Sequence, residues 1–500
     1  MSDSGCHACV EVPLRGSVVP SPAHVSPETR SGLTPLRRNL RYCTWDGILA
    51  VPAVFLTTPG NIVITVLLTQ YFRLNTTQFG AIVALQAVCS ALQLGLVPWL
   101  NHRYTPKQLS VLGAWVQWGA FLLLAALLFW LPPGESPAVF PVLFGVFLLL
   151  AAAQALIAIT WTSWVQEFTP ERIRGRYFGR RNAILQIVTV LYLVTMGFWL
   201  ERSGRGESAA LRDGLMALIG VSMLIRMGSI WMQQHTYSPV DLHVAPAKTK
   251  MQPLPWLDQL KGIVQRRNLL VYFGFGAAFG FASNLLGPFF GVFMLDVLQM
   301  TARQVTTLIV LSSVTGAFAM AGWGRMIDRF GNRPVAVFCF VTWILGGYVW
   351  TFTTPERLWL LHLQFAVGGV FAAGFIQGVF GLLLKIIPPE TKTVAISINA
   401  AVTAVPAAIA PIIAGILLDA AVNHGWNKLA VYQWAAALHH TLVLFTVLIL
   451  LRVAEPKSQP VGELVGAMRS YRQIASILGL SFFTNYIFFR REPPHSRKAT

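Results

Sequence analysis

The sequence predicts an all-α polytopic membrane protein, with twelve transmembrane helices as two six-helix bundles. About a dozen apolar stretches recur along the 500 residues, and hydrophobic residues make up 55% of the chain against 12% for charged residues. Each stretch approaches the roughly 20 apolar residues that cross the hydrocarbon core of a bilayer as a helix. An internal repeat, described below, divides the twelve helices into two halves.

Six spans are predicted in each half, separated by short polar turns such as Pro132-Pro133-Gly134. The spans of the first half are expected at 47–72, 76–100, 109–131, 139–165, 183–200 and 213–234. Those of the second half are expected at 269–295, 302–323, 333–352, 358–386, 393–420 and 429–451.

These spans divide the chain into five regions. We expect a disordered cytoplasmic segment at 1–45, which is polar and rich in proline, and a cytoplasmic tail at 453–500. The two bundles occupy 46–234 and 269–452, joined by a cytoplasmic linker at 235–268. Within the tail, the apolar stretch 474–489 favours an interfacial amphipathic helix over a thirteenth span.

The charge distribution orients the chain. The net charge is +18, and the predicted inner segments hold 30 of the 38 Lys and Arg residues. An excess of Lys and Arg marks the cytoplasmic side, so both termini are expected there. The basic surplus is expected to contact anionic lipid headgroups. A nucleic-acid partner is not expected, because no basic patch is interleaved with stacking aromatic residues.

The two halves resemble each other at an offset of 226 residues. This offset places Gln78 on Gln304 and Arg103 on Arg329 without a gap, and so aligns two spans with the polar turn that follows them. Few positions are identical, so chance matching of apolar residues is the alternative. Parallel repeats of six spans imply two bundles that face each other, with a solute site between them near mid-membrane.

The sharpest local motif joins the eighth and ninth spans. Gly324, Asp328, Arg329, Gly331 and Arg333 lie in the run Gly-Arg-Met-Ile-Asp-Arg-Phe-Gly-Asn-Arg. The glycines allow a tight turn and close helix approach. The Asp and Arg side chains can join the inner ends of neighbouring helices by charge-assisted hydrogen bonds. These five residues are therefore the candidate gating residues.

This loop resembles the Gly-x-x-x-Asp-Arg-x-Gly-Arg-Arg motif of the major facilitator superfamily of secondary transporters, of bacterial type. The family carries the motif after its second and eighth spans, but here His102 occupies the Asp position of the first copy. Pro411 and Gly415 are similar to a bend in the family's eleventh span, and 170–182 looks like its four-to-five loop. The resemblance covers about residues 45–452 and implies the family's fold.

In that family the first, fourth, seventh and tenth spans line the cavity. Polar side chains within these spans are the candidate solute contacts: Thr58, Asn61, Gln154, Trp161, Asn284 and Gln377. The alternative for each is a polar group that merely joins two helices. Arg226 is the one charge deep in a span. It is expected to hold an anionic solute or a partner dipole, or to reach the inner headgroups, and the last is favoured.

The function expected is transport of a small solute across the bacterial cytoplasmic membrane by alternating access, by a monomer. The alternative is a membrane solute sensor, or transceptor, of the same fold that does not transport. An enzyme is not expected, and neither is a cofactor or a metal site. No Gly-Lys-Ser or Gly-Lys-Thr occurs, which argues against a pump driven by ATP. Coupling to H+, to Na+ or to no ion stays open.

Overall fold

The computed structural model describes residues 27–58, 60–101, 103–134, 138–204, 208–237, 262–387, 392–456 and 458–468. This part of the chain is almost entirely helical and contains no strand. The interfacial helix expected at 474–489 lies outside the described residues.

Twelve long helices follow one another in the order of the predicted spans. In the first half they are α1 (Pro27–Thr57), α2 (Thr76–Asn101), α3 (Pro106–Trp130), α4 (Val139–Phe168), α5 (Glu171–Gly204) and α6 (Ser208–Gln234). In the second half they are α7 (Arg267–Leu286), α8 (Ala302–Phe330), α9 (Asn332–Gly347), α10 (Trp359–Ile386), α11 (Lys392–Asn423) and α12 (Lys428–Phe445). A short α13 (Val461–Met468) follows. Most of their bounds agree with the prediction to within a few residues, but α1 and α5 begin earlier than predicted, α8 ends later, and α1 and α7 end at breaks before their predicted spans do.

Among the described residues, 11 helices are long and apolar enough to cross a membrane, by length and composition alone. The remaining predicted span is matched by α2, a helix of 26 residues. The chain is therefore a multi-pass membrane protein of the predicted class.

The first helix begins at Pro27, so residues 27–45 are helical where the sequence predicts disorder. Tertiary contacts give the reason. The Asn39 amide is buried, donates to the Tyr237 carbonyl oxygen over 2.9 Å and accepts from the Tyr237 N–H over 3.0 Å. These two bonds hold α1 at Asn39 against the residues that follow α6, which local composition does not indicate.

The internal repeat is present in the backbone. After a break, α1 continues to a π-helical turn at Val66–Tyr71, and α7 continues to one at Phe293–Val297. Each turn is followed by a residue other than glycine with positive φ, Arg73 at 52° and Gln299 at 55°. These two residues are 226 positions apart, which is the offset found in the sequence.

The helices that follow these turns also begin alike. Asn75 and Gln78 bond reciprocally at the start of α2, each side-chain oxygen accepting from the other residue's backbone N–H. Thr301 and Gln304 form a capping box at the start of α8, again at an offset of 226. Such pairs satisfy two free N–H groups of a helix N-terminus, so the offset repeats structure as well as sequence.

The two bundles contact each other at the starts of α2 and α8 and at the ends of α5 and α11. We call this end the outer side, because the charge distribution predicts it to be extracytoplasmic, and we call the other end the inner side. The Asp419 carboxylate of α11 accepts from the N–H of Thr77 over 2.7 Å and from its hydroxyl over 2.6 Å. Arg303 of α8 lies 3.5 Å from Glu201 of α5. The hydrogen bonds seen between the two bundles in the described chain, from Thr76 and Thr77 to α11 and from Arg303 to Glu201, lie in this outer half.

Close backbone packing accompanies these bonds. A Cβ at Gly80 would clash with the Pro411 carbonyl oxygen, and a Cβ at Gly197 would clash with the Thr306 hydroxyl. Small residues let helix backbones approach closely in membranes. The outer halves of the two bundles are therefore in direct contact.

Candidate functional site

A cavity of about 390 Å³ lies between the two bundles. We call it the central cavity. Its walls come from α1, α2, α7 and α11, through Gly60, Val83, Gln86, Ala87, Ser283, Asn284, Gly287, Pro288 and Ala407. None of these lining residues is charged. Polar groups reach it from both halves, since Gln86 belongs to the first bundle and Asn284 to the second.

Two helix breaks, at Gly60 and at Gly287-Pro288, line this cavity. Gly60 has a φ of +69°, a conformation that glycine adopts readily, and a Cβ at this position would come within 3.2 Å of the Cα of Pro288 in the break of α7. Asn61 caps the next helical turn: its Oδ1 accepts from the Ile64 N–H over 3.0 Å, and its Nδ2 donates to the Thr58 carbonyl oxygen over 2.7 Å. The break in α1 thus places the candidates Thr58 and Asn61 beside the cavity, and the Asn61 amide already makes hydrogen bonds within its own chain segment.

Asn284 and Gln86 are the amides that line the central cavity. Asn284 Nδ2 donates to the Gly280 carbonyl oxygen over 2.9 Å. The Oε1 of Gln86 is buried without a hydrogen-bond partner among the described residues. A buried amide oxygen without a partner is costly, and a bound solute or water that donates a hydrogen bond would remove the cost.

A second cavity, of about 540 Å³, lies within the first bundle, and we call it the N-bundle cavity. Thr58 and Trp161 both line it, so the structure brings these two candidates together. Trp161 Nε1 donates to the Asp46 carboxylate over 2.9 Å, and the Arg181 guanidinium lies 4.4 Å from the centre of the Trp161 ring. The cavity wall is therefore charged as well as aromatic.

The remaining candidates lie apart from these two cavities. Gln154 Oε1 accepts from Gln117 Nε2 over 3.1 Å and from the Thr57 hydroxyl over 3.3 Å, which joins α1, α3 and α4. Gln377 lies on α10, and its Oε1 is buried without a partner in the described chain.

A third cavity, of about 310 Å³, lies within the second bundle and shares Ser283 and Gly287 with the central cavity. Its wall is aromatic, with Trp343 and Trp350 among its residues, and carries both His439 and His440. His440 Nδ1 lies 2.7 Å from the Ala436 carbonyl oxygen of its own helix.

The gating candidates lie at the inner end of α8. Gly331 ends the helix with a φ of 102°, which accounts for a glycine in this tight turn. Asp328 is exposed and makes no hydrogen bond or ion pair with the described residues. Arg329 lies over the Phe330 ring at 5.1 Å, and a Cβ at Gly324 would meet no neighbour within 4 Å.

Arg333 is held by the segment that follows α12. Glu455 accepts from the Arg333 backbone N–H over 2.7 Å, from Asn332 Nδ2 over 2.8 Å and from Lys385 Nζ over 2.9 Å. Burial raises the pKa of the Glu455 carboxyl, but these hydrogen bonds outweigh burial and hold the pKa below its ordinary value. Glu455 thus joins α9, α10 and the segment that follows α12 within one bundle.

Reasoning from the sequence missed Gln86, Arg181 and the role of Asp46. Gln86 was missed because the family resemblance restricts the candidates to the first, fourth, seventh and tenth spans, and Gln86 lies on the second. The sequence does indicate Gln86 as a candidate, because an amide within an apolar span is costly unless it has a hydrogen-bond partner. Arg181 lies in a basic run where composition alone does not separate one arginine from the next.

Comparisons with known proteins agree with this architecture. The model of the Major Facilitator Superfamily matches residues 49–286 and again 273–490, about one match per bundle. No curated protein matches the sequence at a significant level.

Solved structures share the fold at low sequence identity. The D-xylose-proton symporter has a TM-score of 0.62 at 13% identity, over 84% of this chain and 98% of that one. The xylose transporter XylE from E. coli, in an inward-open conformation, has a TM-score of 0.60 at 14% identity, over 86% and 99%. The nucleoside transporter NupG has a TM-score of 0.59 at 12% identity, over 83% and 98%. With both halves matched by the family model, the chain belongs to the major facilitator superfamily and is a membrane transporter.

Proposed function

We propose that this protein carries a small polar solute across the bacterial cytoplasmic membrane by alternating access, and that the solute binds in the central cavity. One observation carries the proposal: a cavity lined by both bundles lies beneath an outer side where the bundles touch. A site shared by two bundles can pass from one side to the other when the bundles rock against each other.

The same observation supports an inward-open assignment. The hydrogen bonds seen between the bundles in the described chain lie in the outer half, and Asp328, the candidate gating carboxylate at the inner end, makes no hydrogen bond with the described residues. We propose that Asp328, Arg329 and their loop make contacts across the inner ends only in the outward-open state. Both termini are placed in the cytoplasm because of the positive charge of the inner segments.

The lining of the central cavity favours a polar and uncharged body for the solute. Amides and backbone groups line it without a carboxylate or an amine among the described residues, and they can exchange hydrogen bonds with hydroxyl or carbonyl groups. The structural neighbours carry xylose or nucleosides, both of which have such groups. We assign Asn284 and Gln86 to this site, with Thr58 and Asn61 beside it at the break in α1 and with Gln154, Trp161 and Gln377 as further candidates. The proposal needs no resident cofactor and treats the transporter as a monomer in lipid, coupled to H+, to Na+ or to no ion.

Binding is tested first. A metabolite library is screened by thermal shift on detergent-purified protein, because a ligand that binds the folded state stabilises it by mass action. Asn284→Ala and Gln86→Ala should each weaken the response to a stabilising compound about tenfold. Gly119→Ala is the matched control, since a Cβ at Gly119 meets no neighbour within 4 Å.

Uptake into proteoliposomes then separates a transporter from a sensor of the same fold. The stabilising compound should enter vesicles that contain the wild-type protein and enter at least tenfold more slowly with Asn284→Ala. Binding without uptake would contradict transport. Uptake that is normal in both the Asn284→Ala and Gln86→Ala variants would contradict the assignment of the central cavity.

A further inference from the structure

Charged groups are buried in the inner half of the first bundle, away from the central cavity. Asp46 on α1 is only 3% exposed. Its carboxylate accepts hydrogen bonds from Trp161 Nε1 over 2.9 Å, from the Ser229 hydroxyl over 2.7 Å and from Gln233 Nε2 over 3.0 Å. All three partners donate, so Asp46 acts as an acceptor and its hydrogen-bonding capacity is largely used.

Arg226 on α6 is in the opposite condition. It is 1% exposed, and its Nη1 donates to the Ser229 hydroxyl over 2.8 Å, which connects it to Asp46 through that serine. Its Nε and Nη2 have no hydrogen-bond partner among the described residues. A buried cation with unused donors costs several kcal/mol in general, and native structures rarely leave one without a counter-ion or another acceptor.

Arg181 on α5 adds a second guanidinium. It is 9% exposed, stacks on the Trp161 ring and donates through Nε to the Cys43 carbonyl oxygen over 3.3 Å. Arg181, Arg226 and Asp46 all line the N-bundle cavity, and Asp46 is its one lining acid among the described residues. Two guanidinium groups therefore face one carboxylate, and the cavity carries a net charge of about +1, since an arginine stays protonated in proteins.

The geometry points to an oxyanion as the missing partner. We infer that the N-bundle cavity binds a carboxylate or phosphate group of the transported solute, with Arg226 Nε and Nη2 as the donors and Arg181 as the second positive charge. Nε and Nη2 lie on one edge of the guanidinium plane, and that edge presents two parallel N–H groups that match two oxygens of one anion.

The inference rests on the proposed function, which it refines by giving the solute a negative charge. Thr58 lines the N-bundle cavity and Gly60, two residues further along the chain, lines the central cavity. A solute with a polar body in the central cavity can therefore have its anionic group on the Arg226 side. An anionic lipid headgroup offers the same phosphate chemistry, and the experiment separates the two sources.

The first measurement is binding of simple anions to full-length protein in neutral detergent. Sodium acetate and sodium phosphate are titrated against sodium chloride at constant ionic strength, and the melting temperature is followed. We expect a saturable rise with acetate or phosphate. Arg226→Gln should weaken this response at least tenfold, and Arg226→Lys should restore part of it, because a lysine keeps the charge without the paired donors.

Two further variants keep the inference testable if Arg226→Gln fails to fold. Arg181→Gln should also weaken the anion response, and Asp46→Asn should strengthen it several-fold by removing the competing negative charge. Arg357→Gln, which removes an exposed arginine on the outer side, is the control and should respond like the wild type. In chloride alone, Arg226→Gln should melt no lower than the wild type, whereas an arginine with a purely structural role would lower the melting temperature when removed.

The second measurement identifies the source of the anion. In nanodiscs of phosphatidylcholine, the response to acetate should equal that in detergent. If phosphatidylglycerol abolishes the response, a lipid headgroup occupies the site and the solute assignment is wrong. If acetate and phosphate fail to raise the melting temperature, or raise it equally in Arg226→Gln and Arg181→Gln, the anion site is wrong whatever the outcome of uptake. Conversely, anion binding without uptake of any compound would contradict transport and leave the site intact.

Discussion

The contact of Asp419 with the start of α2 is expected to decide how stable the closed outer side is. Asp419 lies near the end of α11, in one bundle, and its four partners belong to Thr76 and Thr77 at the start of α2, in the other. The carboxylate accepts from the Thr76 N–H over 3.1 Å, from the Thr77 N–H over 2.7 Å and from both threonine hydroxyls. It therefore caps a helix N-terminus of the opposite bundle, where a negative charge is favoured.

The magnitude follows from these bonds. A hydrogen bond to a charged group contributes about 1.5–3 kcal/mol, and a carboxylate at a helix N-terminus about 0.3–1 kcal/mol. Asp419→Asn keeps one acceptor oxygen, so it retains at most two of the four contacts and loses the charge. Asp419 is partly exposed, and water replaces some of the loss, so we expect a cost of about 2–4 kcal/mol to the closed outer side. When the outer side opens, residue 419 faces water whether it is Asp or Asn. The lost contact energy therefore acts entirely on the equilibrium between the closed and the open outer side.

A cost of this size shifts the balance toward the outward-open state by about 30- to 1000-fold, because 1.4 kcal/mol is a factor of ten. Spin labels at Arg202 and His424, both exposed on the outer side of opposite bundles, report the distance between the bundles. Asp419→Asn should move the distance distribution to longer values, and transport should slow because the outer side recloses less readily. Glu356→Gln, which removes an exposed outer carboxylate, is the control. An unchanged distance distribution together with unchanged transport would refute the reasoning.

Three further predictions concern helix contact, the inner end and pH. Gly80→Ala should lengthen the distance between the outer-side spin labels as Asp419→Asn does, because the added Cβ meets the Pro411 carbonyl oxygen. Gly119→Ala is the control, and equal label distances in the two variants would contradict this prediction. Asp328→Asn should favour the inward-open state by about 1–3 kcal/mol, measured with labels at the inner ends of α2 and α8, and an effect below about 1 kcal/mol would make Asp328 an ordinary surface carboxylate. Glu455→Gln should lower stability at pH 7 by about 2–4 kcal/mol, since the side chain is fully buried among its donors. Because the pKa of Glu455 is held below its ordinary value of 4.5, its contribution is present above that value and is lost as pH falls through the lower folded pKa. Thermal melts should therefore converge for the wild type and Glu455→Gln at acid pH, and a constant difference from pH 7 downward would contradict the linkage.

The helices were predictable because the bilayer imposes one requirement on each of them. A span must be apolar over its length, so its position can be read from composition without knowledge of its neighbours. The offset of 226 was also visible from Gln78 and Gln304, although the sequence could not show what those residues do. The structure shows that Gln304 closes a capping box with Thr301 and that Gln78 bonds reciprocally with Asn75. Identical residues at the starts of corresponding helices in the two halves thus indicated that the backbone structure is repeated.

Contacts between distant segments were less predictable, because they depend on which helices become neighbours. The four partners of Asp419 lie more than 340 residues earlier in the chain, so no local pattern around Asp419 indicates them. Arg226 was expected to reach the inner headgroups, yet it is 1% exposed and turns to Ser229 of its own helix. A charged residue within a span indicates that hydrogen bonds or an opposite charge must offset the cost of its burial. Only the fold shows which partners it has and whether all its donors or acceptors are used. The Asp46 carboxylate has three hydrogen-bond donors, whereas two nitrogens of Arg226 have no acceptor in the described chain. Because the unused hydrogen-bonding groups belong to Arg226, we place the anion site there. The Asp46 carboxylate, whose charge repels an anion, limits the affinity of this site for it.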